Sequence, residues 1–342
     1  MVCFATLAVK AQDYTFSNHN IVPFALNPAQ AGAAYATRFA LNYRIQWPML
    51  KNAYNTVRLS YDQNIFKRMC SIGVAYTYDN MAYGVFQTHE LDAIYSHTIR
   101  LTSDLQHFLR LGVQASLMSS AANYDKMTFG DQYIFSNGKI YNSTIQTLPA
   151  DSRTYFDFAV GASYVFETHL NVGFSVYHIA EPDCGFVQGA QQLTRKYVGQ
   201  INFSQDLQMN RGLMSQRGSD NYLYANAWYQ NQKTFQQIYL GVGVCLEPMI
   251  FGLSWKSNLT RTVTTTDEAI SEELDEEVDN KTWTSVNIPS VLVGAYFKGF
   301  QVYYVFDFFV GGSKRNGSWS NEISLMYVIP TKRKDLCPVV YW

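Results

Sequence analysis

Apolar residues recur at every second position in segment after segment, yet no run of about 18 apolar residues occurs anywhere in the sequence. These two facts together restrict the fold more than anything else in the sequence. In Thr37 to Trp47 the odd positions hold Thr37, Phe39, Leu41, Tyr43, Ile45 and Trp47, and the even ones hold Arg38, Ala40, Asn42, Arg44 and Gln46. Successive side chains leave a β-strand on opposite sides, so such a segment has one face fit for lipid and one fit for water. The pattern repeats in Val57, Leu59, Tyr61 against Arg58, Ser60, Asp62, and in Ile72, Val74, Tyr76, Tyr78 against Ser71, Gly73, Ala75, Thr77. It continues in Leu91, Ala93, Tyr95 against Glu90, Asp92, Ser96, and in Leu109, Leu111, Val113, Ala115, Leu117 against Arg110, Gly112, Gln114, Ser116. Without a long apolar run, the polypeptide crosses a bilayer only as a closed barrel, whose interstrand hydrogen bonds satisfy every backbone group.

Nine further segments read as strands: Tyr155–Phe166, Leu170–Ile179, Tyr197–Asp206, Tyr222–Asn231, Phe235–Leu246, Ile250–Ser257, Val291–Phe297, Gln301–Val310 and Glu322–Ile329. The expected fold is therefore all-β, a transmembrane antiparallel barrel of about fourteen strands over residues 37–330. The tight connections around Glu167-Thr168, Glu247-Pro248 and Lys298-Gly299 follow even-numbered strands. The long ones, Ser119–Thr154, Ala180–Lys196 and Asn258–Ser290, follow odd-numbered strands. All long loops then share one rim, as in outer-membrane barrels with long extracellular loops and short periplasmic turns. The link Leu207–Asn221 is an exception, being long where a turn is expected. A soluble β-sandwich or lectin also alternates on its sheets. Against it stand the aromatic face of nearly every segment and the glycines on the opposite face.

Aromatics make up 15% of the 342 residues, while charged residues also reach only 15%, well short of the roughly 25% of soluble domains. The net charge of −1 offers no footprint for nucleic acid. Eight acids crowd into Asp267–Asp279 with no base among them, so removing them leaves +7 for the remainder. Residues 1–11 read as the remnant of a secretory signal, with Val9-Lys10-Ala11 as the cleavage site. Residues 12–36, broken by Pro23, Pro28 and Gly32, read as an N-terminal plug or periplasmic segment, and 331–342 as a periplasmic tail. Cys70, Cys184, Cys245 and Cys337 show no metal-like spacing and are expected to stand alone, with a disulfide as the alternative.

Two stretches near the start carry a family resemblance. Phe16-Ser17-Asn18-His19 and Pro23-Phe24-Ala25-Leu26-Asn27-Pro28-Ala29-Gln30-Ala31-Gly32, followed by Arg38, Asn42-Tyr43-Arg44 and Gln46-Trp47, resemble the opening signature of the PorP/SprF family. Ser320-Asn321-Glu322-Ile323-Ser324-Leu325 is similar to that family's closing strand. Tyr177-His178-Ile179-Ala180-Glu181-Pro182 is similar to the turn, with a histidine four residues ahead of a proline, that the family carries near its middle. The sequence departs from the family pattern at Asn18-His19, where Q-Y is usual, and at Asn321, where His is usual. The motif residues are Phe16, Ser17, Asn27, Pro28, Ala29, Gly32, Arg38, Tyr43, Arg44, Gln46, Trp47, Glu322, Ser324 and Leu325. The resemblance implies a multi-pass outer-membrane protein of the type IX secretion and gliding machinery. Its implied partners are periplasmic secretion components and an exported surface protein.

No motif for enzymatic chemistry stands out. The phosphate loop, the dinucleotide fingerprint and H-E-x-x-H are absent. Gly173-Phe174-Ser175-Val176-Tyr177 lacks the last glycine of a nucleophile elbow and lies in a strand, where Ser175 is expected to face the lumen. His19, His89, His97, His107, His169 and His178 are scattered rather than paired. No cofactor or metal is expected. The inward charges Arg38, Arg44, Arg58, Asp62, Glu90, Asp92, Arg110 and Asp157 either line an aqueous pore or pair with one another and with a plug; the second reading fits the need to satisfy buried charge. Candidate partner contacts are the loop aromatics Tyr124, Phe129, Tyr133, Phe135 and Tyr141, and the acids Glu272, Glu273, Asp275, Glu276 and Glu277. A solvated loop is the usual fate of such a charge block, and the acids lack calcium-loop spacing. The expected function is a non-enzymatic barrel that binds or anchors an exported surface protein, periplasmic secretion components, or both, and that otherwise touches membrane lipid. The alternative is a channel or porin for small solutes.

Overall fold

A computed structural model of the protein describes residues 13–330, apart from 35, 50–52, 66–68, 105, 135–138, 141–143, 145–147, 168, 188–190, 208–220, 264–280, 298 and 311–318. Its strands are β1 (Ala36–Gln46), β2 (Tyr54–Ile65), β3 (Cys70–Met81), β4 (Phe86–Arg100), β5 (His107–Ala122), β6 (Tyr133–Ile134), β7 (Lys139–Ile140), β8 (Ser152–Phe166), β9 (Leu170–Tyr177), β10 (Lys196–Asp206), β11 (Tyr222–Gln232), β12 (Phe235–Leu246), β13 (Met249–Val263), β14 (Lys281–Phe297), β15 (Phe300–Phe308) and β16 (Trp319–Pro330). All but the short β6–β7 hairpin join one closed antiparallel barrel, in which β1 pairs with both β2 and β16. The fourteen barrel strands are the fourteen segments that the alternation marks out. Closure leaves no unpaired strand edge around the wall, the condition for sitting in hydrocarbon.

The alternation has the polarity expected from the sequence. Phe39, Tyr43, Leu59, Tyr95, Phe156, Phe174, Leu253 and Ile323 point out of the barrel and are exposed. Their neighbours Arg38, Arg44, Ser60, Ser96, Asp157, Ser175 and Glu322 point in and are buried. Cross-strand aromatic contacts line the outer face: Phe39 meets Tyr61 at 5.0 Å, and Phe300 meets Tyr327 at 4.4 Å.

The long connections after β5 and β9 and the link after β13 share one rim, which also receives the link after β15. The tight turns after β8, β12 and β14 share the other. The connection after β10 falls on the short-turn rim, and its ends are drawn together by the Leu207 N–H donating to the Asn221 carbonyl at 2.9 Å. One expected loop is shorter than the sequence suggests. The sequence predicts an irregular loop over Asn258–Ser290, but β13 runs on to Val263 and β14 starts at Lys281, paired from Asn258↔Val286 to Val263↔Lys281. This stretch is rich in Thr and Val, which favour strands, yet it lacks the lipid-facing alternation that marks the others. β9 in turn stops at Tyr177, before Ile179, because His178 takes a left-handed backbone at φ 57°.

Candidate functional site

Residues 13–34 occupy the barrel interior, entering beside the long-loop rim at Asp13 and reaching the short-turn rim where β1 begins. Two 3-10 turns, Pro23–Ala25 and Pro28–Gln30, replace the strand that proline forbids here. The second is capped by Asn27, whose Oδ1 accepts the Ala29 N–H at 2.9 Å. The Asn27 amide donates in the other direction, to the carbonyls of Ala162 at 3.0 Å and Phe174 at 3.3 Å. One residue thus shapes the turn and ties it to β8 and β9.

The wall is hollowed to receive this turn. A Cβ on Gly112 would lie 2.2 Å from the Ala29 nitrogen, and one on Gly161 would lie 2.1 Å from Asn27 Oδ1. Arg110 reaches over the same backbone, with Nε donating to Ala29 O at 2.8 Å and Nη2 to Ala31 O at 2.6 Å. Gly32 closes the turn at φ 66°, where a Cβ would lie 2.5 Å from the Ser71 side chain, and its N–H donates to Asp62 at 2.7 Å. Asp62 is itself held by Arg38 through two guanidinium nitrogens. Gln30 hydrogen-bonds Asn171 and Ser163, and Ser175 donates to Leu26 O at 2.6 Å. Ser175 is therefore a lumen-facing tether, as its place in the strand suggests.

Nearer the long-loop rim the contacts become ionic. The N–H groups of Ser17 and Asn18 donate to the two oxygens of Glu322 at 2.6 and 3.1 Å. Ser17 Oγ donates to Asp307 at 2.7 Å and lies 3.2 Å from Lys256 Nζ. Arg44 bridges Asp307 at 2.8 Å and Glu322 at 3.4 Å. Tyr14 donates to Glu90 at 2.6 Å and accepts from Arg58, which pairs with Asp92 at 2.8 Å. At the mouth, Asp13 lies between His178 Nε2 at 2.9 Å and Lys196 Nζ, while His178 Nδ1 meets Asp157 at 2.7 Å. Burial alone would push the His178 pKa down, but Asp13 and Asp157 outweigh it and push it up to about 9. Burial likewise works to raise Asp13, yet Lys196 and His178 hold its carboxyl well below the usual range.

Between these ionic contacts and the short-turn rim lies an apolar fill. Ile21, Val22 and Phe24 of the segment cluster with Ala40, Ala75, Ile94, Tyr224, Cys245, Ile250, Tyr303 and Met326 of the wall. His19 packs edge-on against Trp228 at 4.9 Å, and Trp228 stacks on Tyr239 at 5.2 Å.

Most of the motif residues meet here. Ser17, Asn27, Pro28, Ala29, Gly32, Arg38, Arg44, Glu322 and Ser324 all face the lumen or lie within it, Ser324 accepting from Asn42 at 2.9 Å, and Phe16 is buried beside Tyr14. Tyr43 and Leu325 face outward instead, and Trp47 turns at the rim at φ 57° against Tyr54 and Phe309. Gln46 ends β1, half-buried. The inward charges Arg38, Arg44, Arg58, Asp62, Glu90, Asp92 and Arg110 all contact the segment or one another, while Asp157 meets His178. Sequence reading passed over Asp13, Lys196, Lys256 and Asp307, single charges with no motif around them.

The candidate partner contacts are not assembled into one site. Tyr124 and Phe129 are half-buried in the loop after β5, with the Tyr124 hydroxyl donating to Ala150 O at 3.1 Å. Tyr133 lies in β6, while Phe135, Tyr141 and the acids Glu272, Glu273, Asp275, Glu276 and Glu277 lie outside the described residues. Cys70 and Cys184 are free thiols, Cys245 is buried in the wall, and Cys337 lies outside the described residues.

No curated protein matches this one in sequence. Among solved structures it is similar to a Pseudomonas aeruginosa FadL homologue, at 12% identity over 89% of this protein and 92% of that one, with a TM-score of 0.43. It is also similar to the Acinetobacter baumannii outer membrane protein Omp33, at 9% identity over 87% of this protein and 99% of that one, with a TM-score of 0.41. The sequence profile described as "Type IX secretion system membrane protein PorP/SprF" matches residues 8–327, nearly the whole length. With that match over a fourteen-stranded closed barrel, the protein belongs to the PorP/SprF family of type IX secretion system membrane proteins and is an outer-membrane barrel.

Proposed function

We propose that this barrel is a closed, partner-binding element of type IX secretion. Its long loops face the cell exterior and receive an exported surface protein; its short turns and the tail beyond residue 330 meet periplasmic secretion components. The filled lumen carries this reading. In an aqueous channel the wall charges stand in water, whereas here Arg38, Arg58, Arg110, Asp92 and Glu322 are each no more than 3% exposed. Their partners are side chains of the wall and residues 13–34, so the interior is filled with polypeptide. What remains for recognition is the two rims. The acidic run 267–279, which falls between β13 and β14 in sequence, favours a basic surface on the exported partner.

The test has two arms. The tagged barrel, extracted gently from the native envelope, is expected to bring down a surface protein or periplasmic secretion components in stoichiometric amount. The purified barrel in a planar bilayer is expected to stay closed to ions. Recovery of the barrel alone, together with steady conductance, would overturn the reading in favour of a channel.

A further inference from the structure

The mouth of the lumen holds a contact of a different kind from those deeper in. Below it, the segment is gripped by its backbone, with Ser17 and Asn18 N–H on Glu322, Leu26 O on Ser175, Ala29 O and Ala31 O on Arg110 and Gly32 N–H on Asp62, and by the uncharged side chains of Tyr14, Ser17, Asn27 and Gln30. Asp13 is gripped by its carboxylate, between the His178 imidazole and the Lys196 ammonium. Both groups that grip it belong to the wall and its long-loop rim. His178 follows β9 and is aimed by Asp157 of β8, which fixes Nδ1 and so leaves Nε2 pointing at Asp13. Lys196 opens β10, with its ammonium 4.6 Å over the Tyr177 ring. None of these supports comes from residues 13–34, so the arrangement outlasts the departure of Asp13. Departure then leaves the His178 Nε2 and the Lys196 ammonium facing the mouth, with Asp157 still on His178 Nδ1.

We propose that His178 and Lys196 form a carboxylate receptor at the long-loop mouth, filled in the resting barrel by Asp13, and that an acidic segment of a partner polypeptide exchanges with Asp13 there. Two charge-assisted hydrogen bonds to one carboxylate give the receptor its selectivity for an acid over an amide. The same two bonds make Asp13 a competitor in cis, at an effective concentration on the order of millimolar. The proposal rests on the partner-binding reading given above and names the chemistry of one contact within it.

The test uses the full-length protein in detergent micelles and a fluorescent hexapeptide, Gln-Asp-Tyr-Thr-Phe-Ser, which repeats residues 12–17. Fluorescence anisotropy is expected to show binding to the Asp13→Asn barrel at least about tenfold tighter than to the parent, because the competitor in cis is weakened. Adding Lys196→Met to Asp13→Asn is expected to abolish that gain, and the peptide with Asn in place of its Asp is expected not to show it. Heat-modified gel mobility checks that each variant is folded, and His178→Gln replaces Lys196→Met should the latter fail that check. Equal affinity for the parent, Asp13→Asn and the double variant, or equal affinity of the Asp and Asn peptides, would overturn the receptor. Peptide binding without any protein recovered from the envelope would uphold the receptor and sink the partner reading. Recovery of a partner that Lys196→Met leaves untouched would do the reverse.

Discussion

Glu322, on the last strand, accepts the backbone N–H of Ser17 at 2.6 Å across 305 positions of sequence, and Arg44 of the first strand lies against both. The two strands that close the barrel, β1 and β16, are thereby locked to the segment that the barrel encloses. Removing the Glu322 carboxylate leaves the backbone N–H groups of Ser17 and Asn18 buried without their acceptor and takes from Arg44 one of its two carboxylate partners. Breaking a buried pair of this kind costs about 3–5 kcal/mol. Glu322→Ala is expected to destabilise the folded barrel by that amount in a urea titration. Adding Arg44→Ala is expected to cost much less than its single effect, since residues in one network are not additive. Additive costs would show that the two side chains act separately.

The glycines on the inner face predict a contrast between two substitutions of the same kind. In Gly112→Ala the new Cβ meets the Ala29 nitrogen at 2.2 Å, and the nearest atoms are all backbone of Pro28 and Ala29, which cannot swing aside as a side chain would. A loss of about 3 kcal/mol is expected, at the upper end of overpacking costs. Gly199, on β10, has open space where its Cβ would stand, so Gly199→Ala is expected to stay within about 0.5 kcal/mol of the parent. Unfolding midpoints of the two variants, compared directly, check this. A mild Gly112→Ala would mean that residues 27–32 do not press on that wall in solution.

The strands were legible because lipid and lumen impose opposite demands on successive residues, and Thr37 to Trp47 carries both demands without interruption. The paired ends of β13 and β14 were not, since polar residues stand at most positions of 258–263 and 281–286 and the apolar alternation is lost. The lumen contacts were half legible. Asn27, Gly32, Arg44 and Glu322 stand in motifs, but nothing local says that Asn27 turns toward β8 and β9 or that Arg44 reaches Asp307. Such pairings join residues more than 100 positions apart, and only closure of the barrel brings them together. Lys256 and Asp307 escaped notice for the same reason, being single charges in otherwise ordinary strands.

The mouth of the lumen has a pH window set by His178 and Asp13. The His178 pKa is raised from its ordinary 6.5 to about 9, so its stabilising charge is fully present below about 6.5 and is lost as pH rises through about 9. Asp13 is shifted the other way, and its contribution is present above its ordinary 3.8 and lost only in strong acid. The contact between them is therefore expected to hold across neutral pH and to fail on the alkaline side first. Ring-nitrogen chemical shifts of labelled histidine, assigned to His178 through His178→Gln, are expected to titrate near pH 9 in the parent and lower in Asp13→Asn. A midpoint near 6.5 in the parent would show that Asp13 and Asp157 do not grip the ring.

Orientation in the membrane follows from which rim meets the exterior. Connections after β5, β9 and β13 lie on one rim, and the tight turns after β8, β12 and β14 on the other. Outer-membrane barrels carry short periplasmic turns and longer extracellular loops, so the long-loop rim is expected to face the exterior. An epitope inserted between the exposed residues Pro149 and Ala150, in the connection from β5 to β8, is expected to bind antibody on intact cells. An epitope at the turn between β12 and β13, beside Glu247, is expected to bind only after the outer membrane is opened. Because Asp13 lies at the long-loop mouth, a surface-exposed Pro149 epitope also puts the receptor formed by His178 and Lys196 within reach of an exported protein. The opposite labelling pattern would turn the mouth toward the periplasm and make its acidic partner a component of the secretion machinery instead.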